Sequence, residues 1–295
     1  MSVFAKICRR LLHPVVGELW CLHRVLPIRS WAPSNRELEI TPEYLEQLIV
    51  GKQNEGYQFV HIDQIVDQKY ALTHKRQINI TFDDGFKDVY QYAFPIFKKY
   101  NIPFTIYLTT DFPDGTANLW WILLEKIVKE NTSLEFGGKH FNCATEGEKV
   151  GTFEAVIQEV YQQEETPIEV LSDCLQKYAA GIVSIDDVAL SWGELQEMLD
   201  SGLLTIGSHS VTHPMLTKIT LNKVEQELMT SKKRIEEQLG VEVKHFSYPH
   251  SAYNEQMFGI LKQCGYISAS LGYGGNIRYG ADKMMLNRNY IIVQK

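Results

Sequence analysis

The sequence predicts an α/β fold in which parallel strands form a barrel surrounded by helices. Short apolar runs alternate with helical segments along most of the chain, as in folds built from strand–helix units. The chain has 295 residues, 44% of them hydrophobic, so it can bury a full core, and barrels of this length commonly form one domain. We therefore expect a single domain over residues 1–295.

The first part of the chain contains four predicted strands with helices between them. Thr41 and Pro42 suit the N-cap and the first position of a helix. Pro95 is expected to kink the third helix, because proline lacks a backbone donor and clashes with the preceding turn. The predicted strands are residues 19–25, 57–60, 78–82 and 104–108, and the predicted helices are residues 43–51, 61–68 and 87–100.

The last part of the chain returns to the same alternation. A helix with strongly periodic apolar residues is predicted over residues 221–239, and Gly240 suits the position that ends it. The other predicted helices are residues 193–201 and 255–264, and the predicted strands are residues 203–206, 243–247, 266–270 and 290–293.

Residues from about 112 to 191 interrupt this alternation. The segment is too long for an ordinary loop and has secondary structure of its own. We interpret it as a mostly helical insertion that caps the active site or selects the substrate. It contains a double tryptophan, a glycine turn and two helical stretches, at residues 120–121, 137–138, 153–163 and 168–178.

The charge and the cysteines narrow the classes of function. A net charge of -7 argues against a nucleic-acid-binding surface, which usually needs an excess of basic residues. The five cysteines are scattered and show no metal-ligand spacing, which is typical of free thiols in a reducing compartment. They are Cys8, Cys21, Cys143, Cys174 and Cys264.

The N-terminus lacks the long apolar core and the small-residue cleavage site of a secretory signal. No stretch reaches the roughly 20 apolar residues of a membrane span. Residues 1–12 are basic and amphipathic, which fits either peripheral contact with an anionic membrane or a first helix packed on the domain. We therefore expect a cytoplasmic protein, with peripheral membrane contact as an open alternative.

The two most informative motifs follow predicted strands. Residues 81–85 read Thr-Phe-Asp-Asp-Gly, and adjacent carboxylates raise each other's pKa unless a cation relieves their repulsion. His209 and His213 are four residues apart, so a helical or turn conformation places both imidazoles on one face. Two histidines and one aspartate form an open zinc site, and the second aspartate is then free to act as a base. Together the motifs predict metal-assisted hydrolysis.

Both motifs resemble those of the polysaccharide deacetylases, carbohydrate esterases that share the nodulation-protein-type deacetylase domain. The resemblance covers residues from about 19 to 293, apart from the insertion. It implies a distorted (β/α) barrel of about seven parallel strands. It also implies that Asp83 is the catalytic base and that Asp84, His209 and His213 bind a divalent metal, for which zinc is expected.

The third motif departs from the family pattern. Residues 247–250 read Ser-Tyr-Pro-His where the family typically has Arg-x-Pro-Tyr, and Ser247 cannot replace the arginine that orients the catalytic aspartate. The resemblance implies that the backbone N–H of His250 contributes to an oxyanion hole, with Tyr248 and Pro249 supporting the site. Residues 246–249 resemble the version found in bacterial exopolysaccharide deacetylases, including those acting on poly-N-acetylglucosamine.

The general acid and the missing arginine must then come from elsewhere. The family's late Leu-x-His motif is absent, because no histidine follows His250. His23 resembles the early histidine that takes the acid's role in the exopolysaccharide branch, with His250 as the alternative. Arg288 resembles a late Leu-x-Arg segment of the same branch, which implies that it holds Asp83; an ordinary surface arginine is the alternative.

Three tryptophans are further candidates. Trp192 lies in Ser-Trp-Gly-Glu-Leu, which resembles the segment before the second motif's strand and implies a place in the acetyl pocket. Packing of its helix onto the barrel is an equal alternative. Trp120 and Trp121 fit either stacking on sugar rings or the core of the insertion.

The expected function is metal-dependent removal of an N-acetyl group from an amino sugar. The resemblance implies a substrate among glycans or sugar-linked precursors of surface polysaccharide synthesis, with the carrier left open. One alternative is a catalytically inactive glycan-binding relative, which would bind carbohydrate without releasing acetate. The other is a hydrolase of the same fold acting on a non-sugar amide, such as a cyclic ureide, which would open a ring.

Overall fold

The computed structural model describes residues 13–74, 76–162, 170–171, 174, 177–178 and 184–293. The strands are β1 (Val15–Leu22), β2 (Arg24–Val25), β3 (Glu39–Ile40), β4 (Gln58–Phe59), β5 (Gln77–Asp84), β6 (Phe104–Leu108), β7 (Ser133–Phe136), β8 (Lys139–Asn142), β9 (Leu204–Ser208), β10 (His245–Ser247), β11 (Ser268–Gly274), β12 (Ile277–Arg278) and β13 (Leu286–Tyr290). The helices are α1 (Pro33–Arg36), α2 (Pro42–Asn54), α3 (Ile62–Val66), α4 (Gln68–Thr73), α5 (Phe94–Tyr100), α6 (Trp120–Glu130), α7 (Glu146–Gln162), α8 (Ile185–Val188), α9 (Trp192–Asp200), α10 (Leu221–Leu239) and α11 (Gln256–Gln263).

Seven parallel strands close into a barrel. They pair in the order β1-β13-β11-β10-β9-β6-β5, and the pairing of β5 with β1 completes the ring. β4 pairs in parallel with the first residues of β5, and β12 lies antiparallel beside β1. The predicted α/β barrel of about seven parallel strands is confirmed. Because the strands run parallel, their C-terminal ends meet at one mouth of the barrel.

The longest helix, α10, packs on the barrel through one stripe of its surface. Thr220 caps its first turn by accepting a hydrogen bond from the backbone N–H of Lys223, and Gly240 ends it with a left-handed φ of 65°. The observed bounds agree with the predicted ones. Its buried residues recur at helical spacing and face the barrel: Val224, Leu228, Ser231, Ile235 and Leu239.

Several predicted elements differ from the observed ones, and three of the differences are informative. A π-helix over Val89–Ala93 precedes α5, and Pro95 lies in the first turn of α5, where its missing N–H leaves no helical bond unmade. The predicted first strand ends early, at Leu22, and resumes as β2 after His23. The last barrel strand is β13 rather than residues 290–293, because its alternating polar residues hide it from a search for apolar runs.

The segment between β6 and α9 has a hydrophobic cluster separate from the barrel core. β7 and β8 form a hairpin around Gly137 and Gly138, which both have positive φ, as the predicted glycine turn requires. Trp120 is buried in this cluster and Trp121 packs against it. The predicted helix 153–163 corresponds to α7, and the predicted helix 168–178 lies largely outside the described residues.

Two further sequence predictions concern the thiols and membrane segments. Cys21, Cys143 and Cys174 are buried free thiols and Cys264 is a half-buried one, whereas Cys8 lies outside the described residues. No helix in the described part of the chain is both long enough and apolar enough to cross a membrane. The basic segment at residues 1–12 also lies outside the described residues.

Candidate metal centre and active site

The adjacent aspartates lie at the C-terminal end of β5, which is buried along its whole length. Successive residues of a strand normally point to opposite faces of a sheet. Asp84 departs from this geometry with a φ of 77°, and Gly85 follows with a φ of 124°. A Cβ atom at Gly85 would lie 2.7 Å from the Leu108 side chain, so only glycine fits without a shift. The turn directs both carboxylates toward the barrel mouth.

The two histidines follow the end of β9 and lie on a loop rather than a helix. His209 directly follows the strand, and the backbone at Ser210 and His213 has positive φ. The Ser210 hydroxyl accepts a hydrogen bond from the His213 N–H at 3.1 Å. Glu227 of α10 accepts hydrogen bonds from the backbone N–H groups of residues 211 and 212. The loop is therefore fixed both internally and to the adjacent helix.

The structure brings Asp84, His209 and His213 together. Asp84 Oδ1 lies 3.7 Å from His209 Nε2 and 3.4 Å from His213 Nε2. Ligand atoms about 2.1 Å from a tetrahedral zinc ion are separated by about 3.4 Å. The three groups therefore fit a divalent cation of this size, with positions left for water and substrate.

The protonation of the histidines also suits metal binding. His209 Nδ1 lies 2.8 Å from the carbonyl oxygen of Ser247, so this nitrogen donates and Nε2 keeps its lone pair toward Asp84. Burial lowers the pKa of His209 to about 4 and that of His213 to about 3, so both rings are neutral near pH 7. Burial raises the pKa of Asp84, which a bound cation would oppose.

Asp83 stands beside this cluster and forms a buried ion pair with Arg288. Arg288 Nη1 and Nη2 donate to Oδ1 and Oδ2 of Asp83 at 2.7 and 2.6 Å. The remaining guanidinium N–H groups donate to the Leu271 carbonyl oxygen and to the hydroxyls of Thr81 and Ser247, at 2.6, 2.9 and 2.8 Å. All five donors of the guanidinium are therefore used, which fixes the orientation of the carboxylate.

Arg288 comes from β13, whereas the family pattern places an arginine at residue 247. The Ser247 hydroxyl accepts a hydrogen bond from the Arg288 guanidinium and lies 3.3 Å from Asp83 Oδ2. Burial by itself would raise the pKa of Asp83, but the adjacent Arg288 holds it below its ordinary value. Asp83 Oδ2 lies 3.8 Å from His209 Nε2, so an ionised carboxylate faces the candidate metal centre.

His23 lies on the same side of the site as Asp83. Its ring nitrogen, Cys21 Sγ and an Asp83 oxygen all lie within 4.8 Å of one another. His23 Nδ1 is buried and has no hydrogen-bond partner among the described residues. The ring of Tyr290 lies 5.7 Å from the His23 ring. Sequence reasoning did not assign Tyr290 or Cys21 to the site.

His250 lies next to His213. The two ring centroids are 4.5 Å apart, and His250 has a left-handed φ of 57°. Tyr248 is buried, and its hydroxyl donates to the Met284 carbonyl oxygen at 2.9 Å. Pro249 is buried beside it. These two residues hold the loop that carries His250.

Trp192 has neighbours other than the metal-site residues. Its Nε1–H donates to Asp114 Oδ1 at 2.9 Å, and the Arg234 guanidinium lies 5.6 Å from its ring centroid. The ring packs partly buried against the main barrel core. The described contacts of Trp192 are therefore those of a residue that anchors α9 on the barrel.

Several solved structures share this fold. The deacetylase PplD of Streptococcus pyogenes, in complex with acetate, has a TM-score of 0.63 and 18% identity, covering 93% of this chain and 92% of that one. IcaB from Ammonifex degensii has a TM-score of 0.59 and 19% identity, covering 93% and 91%. A de-N-acetylase from Aggregatibacter actinomycetemcomitans has a TM-score of 0.60 and 17% identity, covering 94% and 95%. No curated protein sequence matches the chain.

Fold and site together define a parallel barrel with a candidate metal centre at the C-terminal ends of its strands. The sequence profile of the polysaccharide deacetylase family matches residues 71–269, well over half of the chain. The chain therefore belongs to the polysaccharide deacetylase family, as its motifs predict. The matched range includes the aspartate and histidine motifs and ends before Arg288.

Proposed function

We propose that this protein removes an N-acetyl group from an amino sugar by metal-dependent hydrolysis. One observation carries the proposal: a buried carboxylate, Asp83, is oriented by Arg288 directly beside a carboxylate–histidine cluster that fits a divalent cation. Metal-assisted hydrolysis requires this separation between the groups that hold the ion and the group that takes the proton.

Asp84, His209 and His213 would hold the ion, for which zinc suits the two imidazoles and one carboxylate. When bound, a divalent cation supplies Lewis acidity that polarises an amide carbonyl and makes water more acidic. Asp83 accepts the proton of the attacking water. Its guanidinium partner keeps it ionised but makes it a weak base, which would suit a water made more acidic by a cation bound at the neighbouring residues.

Two histidines, His23 and His250, are proposed to act on the leaving amine and on the tetrahedral oxyanion. His23, close to Asp83, protonates the departing amine, and His250 is the alternative donor. The backbone N–H of His250 contributes to stabilising the tetrahedral oxyanion. The products are acetate and a sugar with a free amine.

An N-acetylated glycan or sugar-linked precursor of surface polysaccharide synthesis is the proposed substrate. The Phe-Ser-Tyr-Pro sequence at residues 246–249 supports this choice, as does the fold shared with a de-N-acetylase. The inactive-relative alternative depends on a lost arginine and a lost late histidine. Arg288 contacts Asp83 as such an arginine would, and His23 and His250 both lie at the site.

Metal content is the first test. Purified wild type is expected to hold about one transition-metal ion per chain, and His209→Ala is expected to lose it. His140→Ala is the matched control, because His140 is an exposed histidine on β8. Acetate release from N-acetylglucosamine oligomers then tests the reaction. Wild type that takes up no metal, even after reconstitution, contradicts the proposed mechanism, and metal without acetate release favours a non-sugar amide or binding alone.

A further inference from the structure

An exposed aromatic ring from the insertion reaches the candidate active site. Tyr161 lies near the C-terminal end of α7, and its ring centroid is 6.3 Å from that of His250. We propose that Tyr161 is a substrate-contacting residue, whose ring stacks against the pyranose of an N-acetylated sugar bound at the barrel mouth. The identity of the ligand depends on the proposed deacetylase function, whereas the position of the ring does not.

The ring of Tyr161 is held from behind by the insertion core. Its centroid is 5.8 Å from that of Trp120 in an edge-to-face arrangement, and Trp120 is only 6% exposed. Tyr161 itself is 47% exposed. A large aromatic side chain that is supported on one side and open on the other is already ordered before a ligand arrives, so binding costs little conformational entropy.

Tyr161 lies next to the residues of the candidate metal centre. A chain of ring contacts runs from Tyr161 to His250 and from His250 to His213, whose Nε2 lies 3.4 Å from Asp84. Two causes raise the pKa of the Tyr161 hydroxyl: partial burial is the larger one, and the negative charge of Asp84 is the other. A ligand whose acetyl group lies at the metal centre therefore has its sugar within reach of this ring.

The chemistry of the contact favours a neutral sugar ring. One face of a pyranose presents C–H groups, which pack on an aromatic face, while its hydroxyls stay hydrated or hydrogen-bonded at the edge. Tyrosine combines a flat apolar body with a polar tip, which suits such an amphipathic ligand. The insertion thereby recognises the sugar, while the barrel holds the acetyl group.

Binding and turnover of N-acetylated sugars test the proposal separately. Calorimetry with an N-acetylglucosamine tetramer on zinc-loaded Asp83→Asn protein measures binding without hydrolysis. Adding Tyr161→Ala is expected to weaken tetramer binding about tenfold. Tyr161→Phe, which keeps the ring, is expected to bind within about twofold of the parent. Tyr161→Leu keeps an apolar contact with Trp120 but no flat ring, and is expected to behave like the alanine variant.

Tyr70→Ala is the matched control, because Tyr70 is a partly exposed tyrosine on α4, before the start of β5 and at the opposite end of the barrel. Equal tetramer affinity with and without the Tyr161 ring overturns the proposal, and so does the same loss of affinity in Tyr70→Ala. Absence of tetramer binding by Asp83→Asn protein that is folded and holds zinc also overturns it. Acetate release, measured on protein that keeps Asp83, separates the proposal for Tyr161 from the proposed deacetylase function. A Tyr161-dependent affinity without acetate release leaves this proposal standing and removes the deacetylase function. Acetate release with an unchanged KM in Tyr161→Ala supports the deacetylase function and removes the proposal for Tyr161.

Discussion

The guanidinium of Arg288 makes a bidentate, buried ion pair with Asp83, from 205 residues further along the chain. Arg288 is 1% exposed and Asp83 is 4% exposed, so neither charge is compensated by water. A buried ion pair of this kind adds little net stability, but the loss of one partner strands the other in a medium of low polarity. The pair therefore couples the closure of the barrel by β13 to the orientation of the proposed base.

Arg288→Met is expected to lower the free energy of unfolding by about 3–5 kcal/mol, because Asp83 is left as an unpaired buried charge. Urea unfolding measures this change. Arg278→Met is the control, since Arg278 lies on β12 and donates to the exposed His13 carbonyl oxygen. Adding Asp83→Asn to Arg288→Met is expected to restore part of the lost stability. A double variant no more stable than Arg288→Met would contradict the uncompensated-charge explanation.

Asp83→Asn is expected to reduce turnover by about 10²–10⁴-fold while metal content stays unchanged, because the amide keeps the shape of the side chain but cannot accept the proton. Asp84→Asn is the matched comparison, and it is expected to lose metal as well as activity. Steady-state kinetics and metal analysis on the same samples make the distinction. Wild-type turnover in Asp83→Asn would remove this residue from the base's role.

His23→Ala is expected to slow the release of a poor leaving group far more than that of a good one. Amide hydrolysis needs a proton on the departing amine, whereas 4-nitrophenolate leaves without one. The rate of N-acetyl sugar hydrolysis divided by the rate of 4-nitrophenyl acetate hydrolysis is therefore expected to fall by about 10²-fold or more. His250→Ala keeps its backbone N–H and is the comparison. If the ratio falls in His250→Ala and not in His23→Ala, His250 is the acid.

Metal-free protein is expected to lose stability as the pH falls from about 6.5 toward 4. Folding holds the pKa of His209 at about 4 and that of His213 at about 3, so the unfolded chain binds more protons in this window and acid favours unfolding. Each histidine contributes roughly 1 kcal/mol per pH unit. Asp83 contributes only below about pH 4, because its pKa is lowered from an already acidic value.

Urea unfolding of chelator-treated protein at pH 5 and pH 7 measures the slope of the free energy of unfolding against pH. His209→Gln is expected to reduce the slope by roughly 1 kcal/mol per pH unit, since one ring whose pKa burial lowers is removed. Burial raises the pKa of Glu39 to about 7, so the contribution of Glu39 to the free energy of unfolding falls as the pH rises. This contribution is the same in wild type and in His209→Gln. An equal slope in wild type and His209→Gln would show that these rings do not set the acid sensitivity.

The sequence by itself determined the residue types and their places at strand ends. Four site residues were predictable because they lie at or just after the C-terminal end of an apolar strand, and parallel strands bring these ends to one mouth: Asp83, Asp84, His209 and His213. The bounds of α10 were predictable for a similar local reason, a cap at one end and glycine at the other. The position of the short strand β13 is not predictable from apolar runs, because polar residues alternate along it, the buried Arg288 among them.

Only the tertiary structure decided which distant side chains meet. The closure of the ring between β13 and β1 places Arg288 in the space beside Ser247, and the packing of the insertion places Tyr161 beside His250. The family resemblance suggested that Arg288 holds Asp83, but it offered nothing for Tyr161. Contacts between residues far apart in sequence depend on how whole elements pack, and local pattern carries no record of that packing.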